Sequence, residues 1–368
     1  MDVSMIFAKK LRQRRRELGL TQREVGEMLG YSEKTVSKWE SGAAICPSES
    51  LPALAKALKT DINSLLTETE SGEYFLGVDG GGTKTDFVLA DSQGRILSRV
   101  TLGASNPNDL GMKAACDVLS GGIREVIGDI PASSISAFIG IAGGTTGNNR
   151  EKLREYLSHL GFGRFDNGND AECAVKAALG DEDGCVVIAG TGSVAFTQMG
   201  GELKRLGGFG YLFEQGGSGY TVGRDSLTHA LELESVGGED RLILELRSEL
   251  GAGTVTERLG DIYSGGKKLI ASLSGAVTRA YRDGDEAAKR IIERNMRCIA
   301  HLIESSERVY GEAARRVVLM GGLISAGEDL LPLIINSLEY PERYDVTVSR
   351  TPPYVGALLL ARRNYAKD

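Results

Sequence analysis

The chain has 368 residues, of which 41% are hydrophobic and 25% charged, and its formal net charge at pH 7 is −7. This length fits two or three domains, and the composition excludes an intrinsically disordered chain. No apolar run reaches the roughly 18 residues that a membrane helix requires, the first residues lack a signal-peptide pattern, and the five cysteines include no Cys-x-x-Cys pair. We therefore expect a cytoplasmic protein without membrane contact and without a cysteine-bound metal.

The first seventy residues differ from the rest in charge and in hydrophobic period. Residues 1–70 contain 11 Lys and Arg against 10 Asp and Glu, whereas the remaining 298 residues contain 32 against 40. Apolar residues recur here at helical spacing, which predicts that Val25 and Met28 face the core from a second helix. Thr21 and Glu24 form a capping-box pattern before that helix, and Ser32 is the expected N-cap of a third one. We expect five short helices in a bundle.

Several motifs lie at matched spacing within segment 6–66. They are Arg15, Leu18-Gly19-Leu20-Thr21-Gln22, Leu29-Gly30-Tyr31-Ser32 and Val36-Ser37-Lys38-Trp39-Glu40-Ser41-Gly42. The spacing of these motifs, the glycine in the turn and the helix caps all agree with one pattern. In these features the segment resembles the phage-repressor-like (XRE) helix-turn-helix family. The resemblance also implies an internal ion pair between Arg15 and Glu40.

This resemblance implies that residues 1–66 form an all-α DNA-binding domain whose third helix enters the major groove. The expected contacts are base readers and phosphate-binding side chains, namely Gln22, Glu33, Lys34, Ser37 and Lys38. One such module makes few contacts, so we expect a homodimer on an operator site. A small helical interaction module is the alternative interpretation.

Residues 67–73 are polar, acidic and aperiodic, which is typical of a linker. Buried-type strands follow, interrupted by turns rich in glycine. The first is Asp79-Gly80-Gly81-Gly82-Thr83-Lys84-Thr85, the second is Gly190-Thr191-Gly192-Ser193, and a third step is Gly321-Gly322. Glycine leaves backbone amides accessible, so the first two turns are suited to phosphate, and Asp79 to a metal-bound water. Both turns lie between strands, which excludes Rossmann and Walker geometry and predicts a duplicated architecture around one cleft.

Further segments continue this pattern along the body. They are Gly103-Ala104-Ser105-Asn106-Pro107-Asn108, Ile139-Gly140-Ile141-Ala142-Gly143-Gly144, Asn169-Asp170-Ala171, Gly207-Gly208-Phe209-Gly210-Tyr211 and Pro353-Tyr354-Val355-Gly356-Ala357. With the three glycine turns they resemble the actin/hexokinase ATPase superfamily, and within it the BadF/BadG/BcrA/BcrD-type ATPases and N-acetylglucosamine kinases. The resemblance implies an α/β, ribonuclease H-like (actin-like ATPase) duplicated body. Its lobes are expected at 74–182 and 183–350, with a C-terminal helix in 351–368 returning to the first lobe.

The same resemblance implies ATP- and Mg²⁺-dependent phosphorylation of an amino-sugar hydroxyl. Asp170 is in the family's catalytic-base position, and Asn169 and Asn106 are expected beside the sugar. The residues expected to bind the nucleotide are Gly80, Gly81, Gly82, Thr83, Lys84, Thr191, Gly192, Ser193, Gly321 and Gly322, with Asp79 holding Mg²⁺ through water. A simpler interpretation of Asp170 is that it caps a helix, as aspartate often does.

One stretch departs from the family pattern. Family members usually have Gly-Asp-Glu-Gly-Ser-Gly after the glycine-aromatic segment, whereas this chain has Glu214-Gln215-Gly216-Gly217-Ser218-Gly219. Glu214 stands one place early, so it is a candidate substitute for the lost carboxylates, but a shift of one residue usually points a side chain elsewhere. The sequence favours an amino-sugar kinase fused to a DNA-binding regulator module. A ligand-sensing regulator that binds ATP and sugar without efficient turnover is the alternative, and a generic ATPase acting on a peptide or cell-wall fragment is a third.

Overall fold

The computed structural model describes residues 3–60, 62–66, 74–325 and 327–365. The chain divides into two units, Met1–Tyr74 and Phe75–Asp368. The segment 67–73, expected as a linker, lies outside the described residues. Within the described residues, no helix is both long and apolar enough to cross a membrane.

The first unit is a bundle of short helices. They are α1 (Val3–Glu17), α2 (Gln22–Leu29), α3 (Glu33–Glu40), α4 (Leu51–Ala57) and α5 (Ile62–Leu66). The predicted caps are confirmed, because Thr21 and Glu24 form a complete capping box and the Ser32 side chain accepts the Thr35 amide. The fully buried side chains of Phe7 and Leu11 on α1 pack with residues of α2, α3 and α4 to form the core.

The prediction for Met28 is wrong, since this side chain is 57% exposed. Helix α2 packs through Val25 and Gly26, and a Cβ on Gly26 would lie 2.5 Å from the Tyr31 carbonyl oxygen. Met28 follows Gly26 by two residues, about 200° around the helix. The close packing at Gly26 therefore turns Met28 toward solvent.

A buried carboxylate joins α1, α2 and α3. Glu40 is only 4% exposed, and Arg15 donates Nε to its Oε1 at 2.5 Å and Nη2 to its Oε2 at 3.1 Å. Gln22 donates Nε2 to Oε2 at 2.8 Å, and Arg12 lies 3.6 Å away. Burial by itself raises the pKa of Glu40, but the hydrogen bonds from Arg15 and Gln22 outweigh it and hold the pKa below its usual value. The Arg15–Glu40 pair implied by the resemblance is therefore present.

The second unit contains two five-stranded sheets built on one plan. The first has the order β3-β2-β1-β4-β5, from β1 (Tyr74–Gly80), β2 (Lys84–Ala90), β3 (Ile96–Gly103), β4 (Ile135–Ile141) and β5 (Arg164–Gly168). The second has the order β10-β9-β6-β7-β8, from β6 (Gly184–Ala189), β7 (Ser193–Met199), β8 (Glu202–Gly207), β9 (Arg316–Met320) and β10 (Asp345–Val348). Each is an antiparallel three-strand meander extended by parallel strands. The predicted duplication is confirmed.

Helices cover these sheets. The first sheet is accompanied by α6 (Pro107–Leu110), α7 (Met112–Ile127), α8 (Asn149–Ser158) and α9 (Asp170–Leu179). The second is accompanied by α10 (Gly219–Ser235), α11 (Arg241–Leu250), α12 (Leu259–Ser272), α13 (Ser274–Arg282), α14 (Glu286–Tyr310), α15 (Gly322–Ser325) and α16 (Leu331–Asn336). The largest apolar cluster lies between the second sheet and α10, α13 and α14. This core fixes the strand ends from which the second glycine turn projects.

The last helix, α17 (Pro353–Tyr365), packs on α9 and β4 of the first sheet. Its backbone comes so close to α9 that a Cβ on Gly356 would lie 1.9 Å from the Cys173 carbonyl oxygen. On its other side, Gly77 of β1 approaches the Leu358 amide in the same way. Glycines therefore let α17 fit tightly beside the helix that begins with Asp170.

Candidate functional site

A cleft of about 630 Å³ opens between the turns of the two sheets. The β1–β2 connection supplies Gly81, Gly82, Thr83 and Lys84, and the β6–β7 connection supplies Gly190, Thr191, Gly192 and Ser193. Asp79 and the first residues of α9, Asn169 and Asp170, also line it. The structure thus brings both predicted glycine turns and the expected catalytic aspartate into one cavity.

The first turn is closed by its own backbone. The Gly81 amide donates to the Lys84 carbonyl at 2.8 Å, and a Cβ on Gly80 would lie 2.2 Å from Ser105 Oγ. Gly80 therefore supports the turn from behind and is not among the residues that line the cleft. Lys84 does line it, with Nζ donating to Asp86 Oδ2 at 2.8 Å.

Two carboxylates share the floor of the cleft. Burial raises the pKa of Asp79 to about 7, and the negative charges of Asp170 and Asp86 add to this shift. Burial likewise raises the pKa of Asp170, against the Ala171 amide that donates to its Oδ1 at 3.1 Å and the positive charge of Arg205. Both groups therefore hold a proton more readily than an exposed aspartate does.

The helix-cap interpretation of Asp170 is wrong, because Asn169 is the N-cap of α9. The Asn169 Oδ1 accepts the Glu172 amide at 2.8 Å, and Glu172 Oε1 accepts the Asn169 amide at 3.1 Å, which completes a capping box. Asp170 is the first residue of the helix. The capping oxygen of Asn169 is thus engaged within the fold, while the carboxylate of Asp170 lines the cleft.

The second turn is held by Glu214. Its Oε1 accepts the Ser193 amide at 3.2 Å, and its Oε2 accepts the Ser218 hydroxyl at 2.9 Å. The carboxylate also lies close to Gly192, where a Cβ would be 2.7 Å from Oε1. Of the two possibilities for Glu214, the one that points its side chain elsewhere is wrong, since the loop that precedes α10 places it in the cleft.

Gly321, Gly322 and Asn106 lie beside the cleft and are not among its lining residues. A Cβ on Gly321 would lie 2.4 Å from the Ala189 carbonyl oxygen, so this glycine allows the ends of β9 and β6 to meet next to the second turn. Asn106 caps α6, accepting the Asn108 amide at 3.0 Å and donating Nδ2 to Asp109 at 2.9 Å. Its Oδ1 lies close to Gly143, which does line the cleft.

Three cationic side chains at the cleft were missed by sequence reasoning. Arg205 reaches it from β8, with no local sequence signal, and Lys267 reaches it from α12. The neighbouring Lys268 donates Nζ to the Gly82 carbonyl at 2.5 Å, which ties α12 to the first turn. Helix α12 breaks at Gly266, where φ is 56° and ψ is −148°. The signal was the run Gly265-Gly266-Lys267-Lys268, which pairs glycines with lysines inside an otherwise helical pattern.

In the first unit, four of the five predicted DNA contacts form one exposed face of α3, namely Glu33, Lys34, Ser37 and Lys38. Their spacing of one and four residues places them on the same side of the helix. Gln22 is different, because its amide donates to Glu40 inside the bundle.

The described residues contain no group of three or more His, Cys, Asp and Glu that could hold a metal ion. The five cysteines are free thiols.

Comparisons with known proteins cover both units. The family model described as BadF/BadG/BcrA/BcrD ATPase family matches residues 76–361, and a helix-turn-helix domain model matches residues 6–66. An N-acetylmuramic acid/N-acetylglucosamine kinase of Clostridium acetobutylicum is 31% identical over 304 residues, which cover 79% of this chain and 98% of that protein.

One solved structure is similar in fold, and one further protein is similar in sequence to the first unit. The solved structure of a ROK family glucokinase from Streptomyces griseus, in complex with glucose and AMPPNP, has a TM-score of 0.54 and 19% identity, over 80% of this chain and 99% of that chain. The HTH-type transcriptional activator BcrR of Enterococcus faecalis is 39% identical over 66 residues, which are 18% of this chain and 32% of that protein.

Proposed function

The chain belongs to the BadF/BadG/BcrA/BcrD ATPase family, and from this premise we propose that its second unit transfers the terminal phosphoryl group of ATP to a hydroxyl of an amino sugar. The observation that carries the proposal is the Asp170 carboxylate, which lines the same cleft as the two glycine turns. The kinase of Clostridium acetobutylicum, matched over nearly its whole length, supports the substrate class. We assign the lobes to 74–182 and 183–350, and the returning helix to 351–368.

Asp170 is the proposed catalytic base. Its carboxylate takes the proton of the sugar hydroxyl while that oxygen bonds to the γ-phosphorus, and the bond from this phosphorus to the bridging oxygen breaks to release ADP. Burial raises the pKa of Asp170, which brings it closer to neutral pH and makes it a better proton acceptor. The cap made by Asn169 keeps Asp170 at the helix start, where its side chain reaches the cleft.

The glycine turns are the proposed phosphate sites, with Gly81, Gly82 and Thr83 on one side and Thr191 and Gly192 on the other. Lys84, Lys267 and Arg205 place positive charge along the same cavity, which favours a polyanion there. The Ser193 amide is engaged by Glu214, so its part in phosphate binding requires that contact to open. We propose that Gly321 and Gly322 flank the base and ribose from beside the second turn.

The residues of the cleft also fit a magnesium ion. Burial and the nearby Asp170 raise the pKa of Asp79, and a divalent cation near this carboxylate would offset both effects. Mg²⁺ is commonly held by one or two carboxylates, several waters and the substrate phosphates. We propose that Asp79 holds it through water, and the ion would supply charge neutralisation to the phosphates.

For the first unit we propose operator binding by a homodimer, through the α3 face formed by Glu33, Lys34, Ser37 and Lys38. The helix-turn-helix match over residues 6–66 supports it, as does the exposure of that face. Gln22 is proposed to act indirectly, by fixing Glu40 and the geometry between α2 and α3. ATP and DNA are cytoplasmic partners, so we place the protein there.

The test is ADP release from ATP and Mg²⁺ with glucosamine, N-acetylglucosamine, N-acetylmuramic acid and glucose, with the phosphorylated sugar identified by mass. We expect turnover on at least one amino sugar, and none with Asp170→Asn. ATP binding without turnover on any sugar would contradict the kinase proposal and favour the ligand-sensing regulator.

A further inference from the structure

The second glycine turn holds an anion that the chain itself supplies. Glu214 Oε1 accepts the Ser193 amide at 3.2 Å, and a Cβ on Gly192 would lie 2.7 Å from the same oxygen. Backbone amides of such a turn are the donors that a bound phosphate uses. The carboxylate therefore lies where the proposed function places a phosphate of ATP.

The segment around Glu214 holds this contact from two further sides. Glu214 Oε2 accepts the hydroxyl of Ser218, which is fully buried, at 2.9 Å. The Ser193 hydroxyl donates to the Gly216 carbonyl at 3.2 Å. Both donors of Ser193 are thus used by segment 214–216, so a phosphate gains them only when this segment moves.

The carboxylate of Glu214 lacks a cationic partner. Among the described residues it forms no ion pair, and its contacts are the Ser193 amide and the Ser218 hydroxyl. Positive side chains, those of Lys84, Lys267 and Arg205, line the same cleft. They attract a bound triphosphate, which in turn repels a carboxylate beside it. Phosphate and Glu214 therefore exclude each other at this turn.

The loop between β8 and α10, which carries Glu214, is built to move. Glycines with positive φ lie near its two ends, Gly208 at 69° and Gly217 at 86°, and glycine adopts other backbone conformations at little cost. Phe209 and Phe213 are 79% and 76% exposed, so these rings add little packing. Glu214 also lines a second cavity, of about 520 Å³, which gives its side chain space away from the turn.

We propose that Glu214 is an autoinhibitory side chain, which fills the second glycine turn until ATP displaces it. ATP then binds only to molecules whose loop has released the turn, and its apparent affinity is reduced in proportion to that fraction. The acid stands at the position of the first glycine of the family pattern. This inference rests on the proposed kinase function, because it requires phosphate at this turn, and it adds regulation of that same site.

The test measures the affinity of the full-length protein for AMPPNP, an analogue of ATP that is not hydrolysed, with Mg²⁺ by calorimetry. Glu214→Gln keeps the size of the side chain and removes its charge. We expect this variant to bind AMPPNP about tenfold more tightly than the wild type, because a charge-assisted contact no longer competes. Glu214→Ala, which removes the contact altogether, should bind at least as tightly. Adenosine has no phosphate, so its affinity should stay equal within about twofold.

Glu202→Gln is the matched control, since Glu202 is exposed on β8 and lines neither cavity. It should leave the AMPPNP affinity unchanged, which separates a local contact from a general loss of negative charge. Unchanged or weaker AMPPNP binding in both Glu214 variants, or an equal gain for adenosine, would overturn the inference while turnover of an amino sugar upholds the kinase. Absence of AMPPNP binding in the wild type and in every variant would overturn the proposed ATP site, and this inference with it.

Discussion

Buried carboxylates have opposite surroundings in the two units. Glu40 in the first unit receives hydrogen bonds from Arg15 and Gln22, and its pKa is lowered. Asp79 and Asp170 in the cleft of the second unit lie near each other, and their pKa values are raised. A carboxylate whose donors outweigh its burial stabilises a fold, whereas one with few donors is available to a proton, a cation or a substrate.

The same contrast occurs within one strand pair. Asp79 on β1 lies directly opposite Asp86 on β2, yet Asp86 accepts hydrogen bonds from Lys84, Arg99 and Thr101. Burial opposes the shift, but these donors lower the pKa of Asp86. The two residues share a register position, but the donors around Asp86 outweigh its burial, whereas burial is the largest cause of the raised pKa of Asp79.

The largest expected effect on stability is that of Glu40→Ala, which leaves Arg15 and Gln22 without their shared acceptor. Breaking a buried pair from one side costs about 3–5 kcal/mol. Trp39 is the single tryptophan of the chain and is buried in this unit, so urea unfolding followed by its fluorescence reports on the first unit.

Glu27→Ala is the control, because Glu27 pairs with Arg23 on the surface and such pairs contribute at most about 1 kcal/mol. If the urea midpoint shifts no more in Glu40→Ala than in Glu27→Ala, the claim that the Glu40 carboxylate stabilises the first unit is contradicted.

A smaller effect is expected from Asp79 as pH changes. Its folded-state pKa of about 7 is above the ordinary 3.8, so the folded protein binds more protons and stability is lost as pH rises between these values. The difference amounts to on the order of 4 kcal/mol at most. The free energy of unfolding of the second unit is measured by urea titration and circular dichroism between about pH 4 and pH 8. Its dependence on pH should be weaker in Asp79→Asn than in the wild type.

Asp86→Asn sharpens this prediction. The lowered pKa of Asp86 means that its stabilising contribution is present above the ordinary aspartate value and is lost only as pH falls below it. This variant should lose stability by a constant amount from about pH 5 upward, without a change of slope. Identical pH profiles for Asp79→Asn and the wild type would show that Asp79 does not have the raised pKa described above.

The smallest effect concerns the proposed DNA surface. Replacing Lys34 and Lys38 by alanine should lower the slope of log affinity against log salt by about 0.9 for each lysine that contacts a phosphate. Fluorescence polarisation with a labelled mixed-sequence duplex measures it. Lys56→Ala, on an exposed position of α4, should leave the slope unchanged, and an equal change in Lys56→Ala would contradict the assignment to α3.

Local signals predicted much of this structure. The capping box at Thr21, the cap at Ser32 and the glycine turns depend on neighbours in sequence, and each is present as expected. The sequence predicts a helix start at Asp170, but it suggested Asp170 as the cap, whereas Asn169 is the cap in the structure. That choice depends on which side chain reaches the Glu172 amide.

What the sequence could not predict arises from contacts between distant segments. Glu214 reaches the Ser193 amide across 21 residues, and Lys268 reaches the Gly82 carbonyl across 186. Arg205 and Lys267 enter the cleft only because the second sheet and α12 fold toward it. No local pattern encodes such approaches, since they follow from tertiary packing.

The most direct test of the central claim is the turnover number of Asp170→Asn at saturating ATP and amino sugar, measured with the ATP affinity and the melting temperature of the same preparation. We predict a loss of about 10²–10⁴-fold in turnover, as for removal of a general base, with ATP affinity retained and the melting temperature unchanged or higher. Turnover within about tenfold of the wild type would contradict the account, because the poorly partnered carboxylate of the cleft would then take no part in the chemistry.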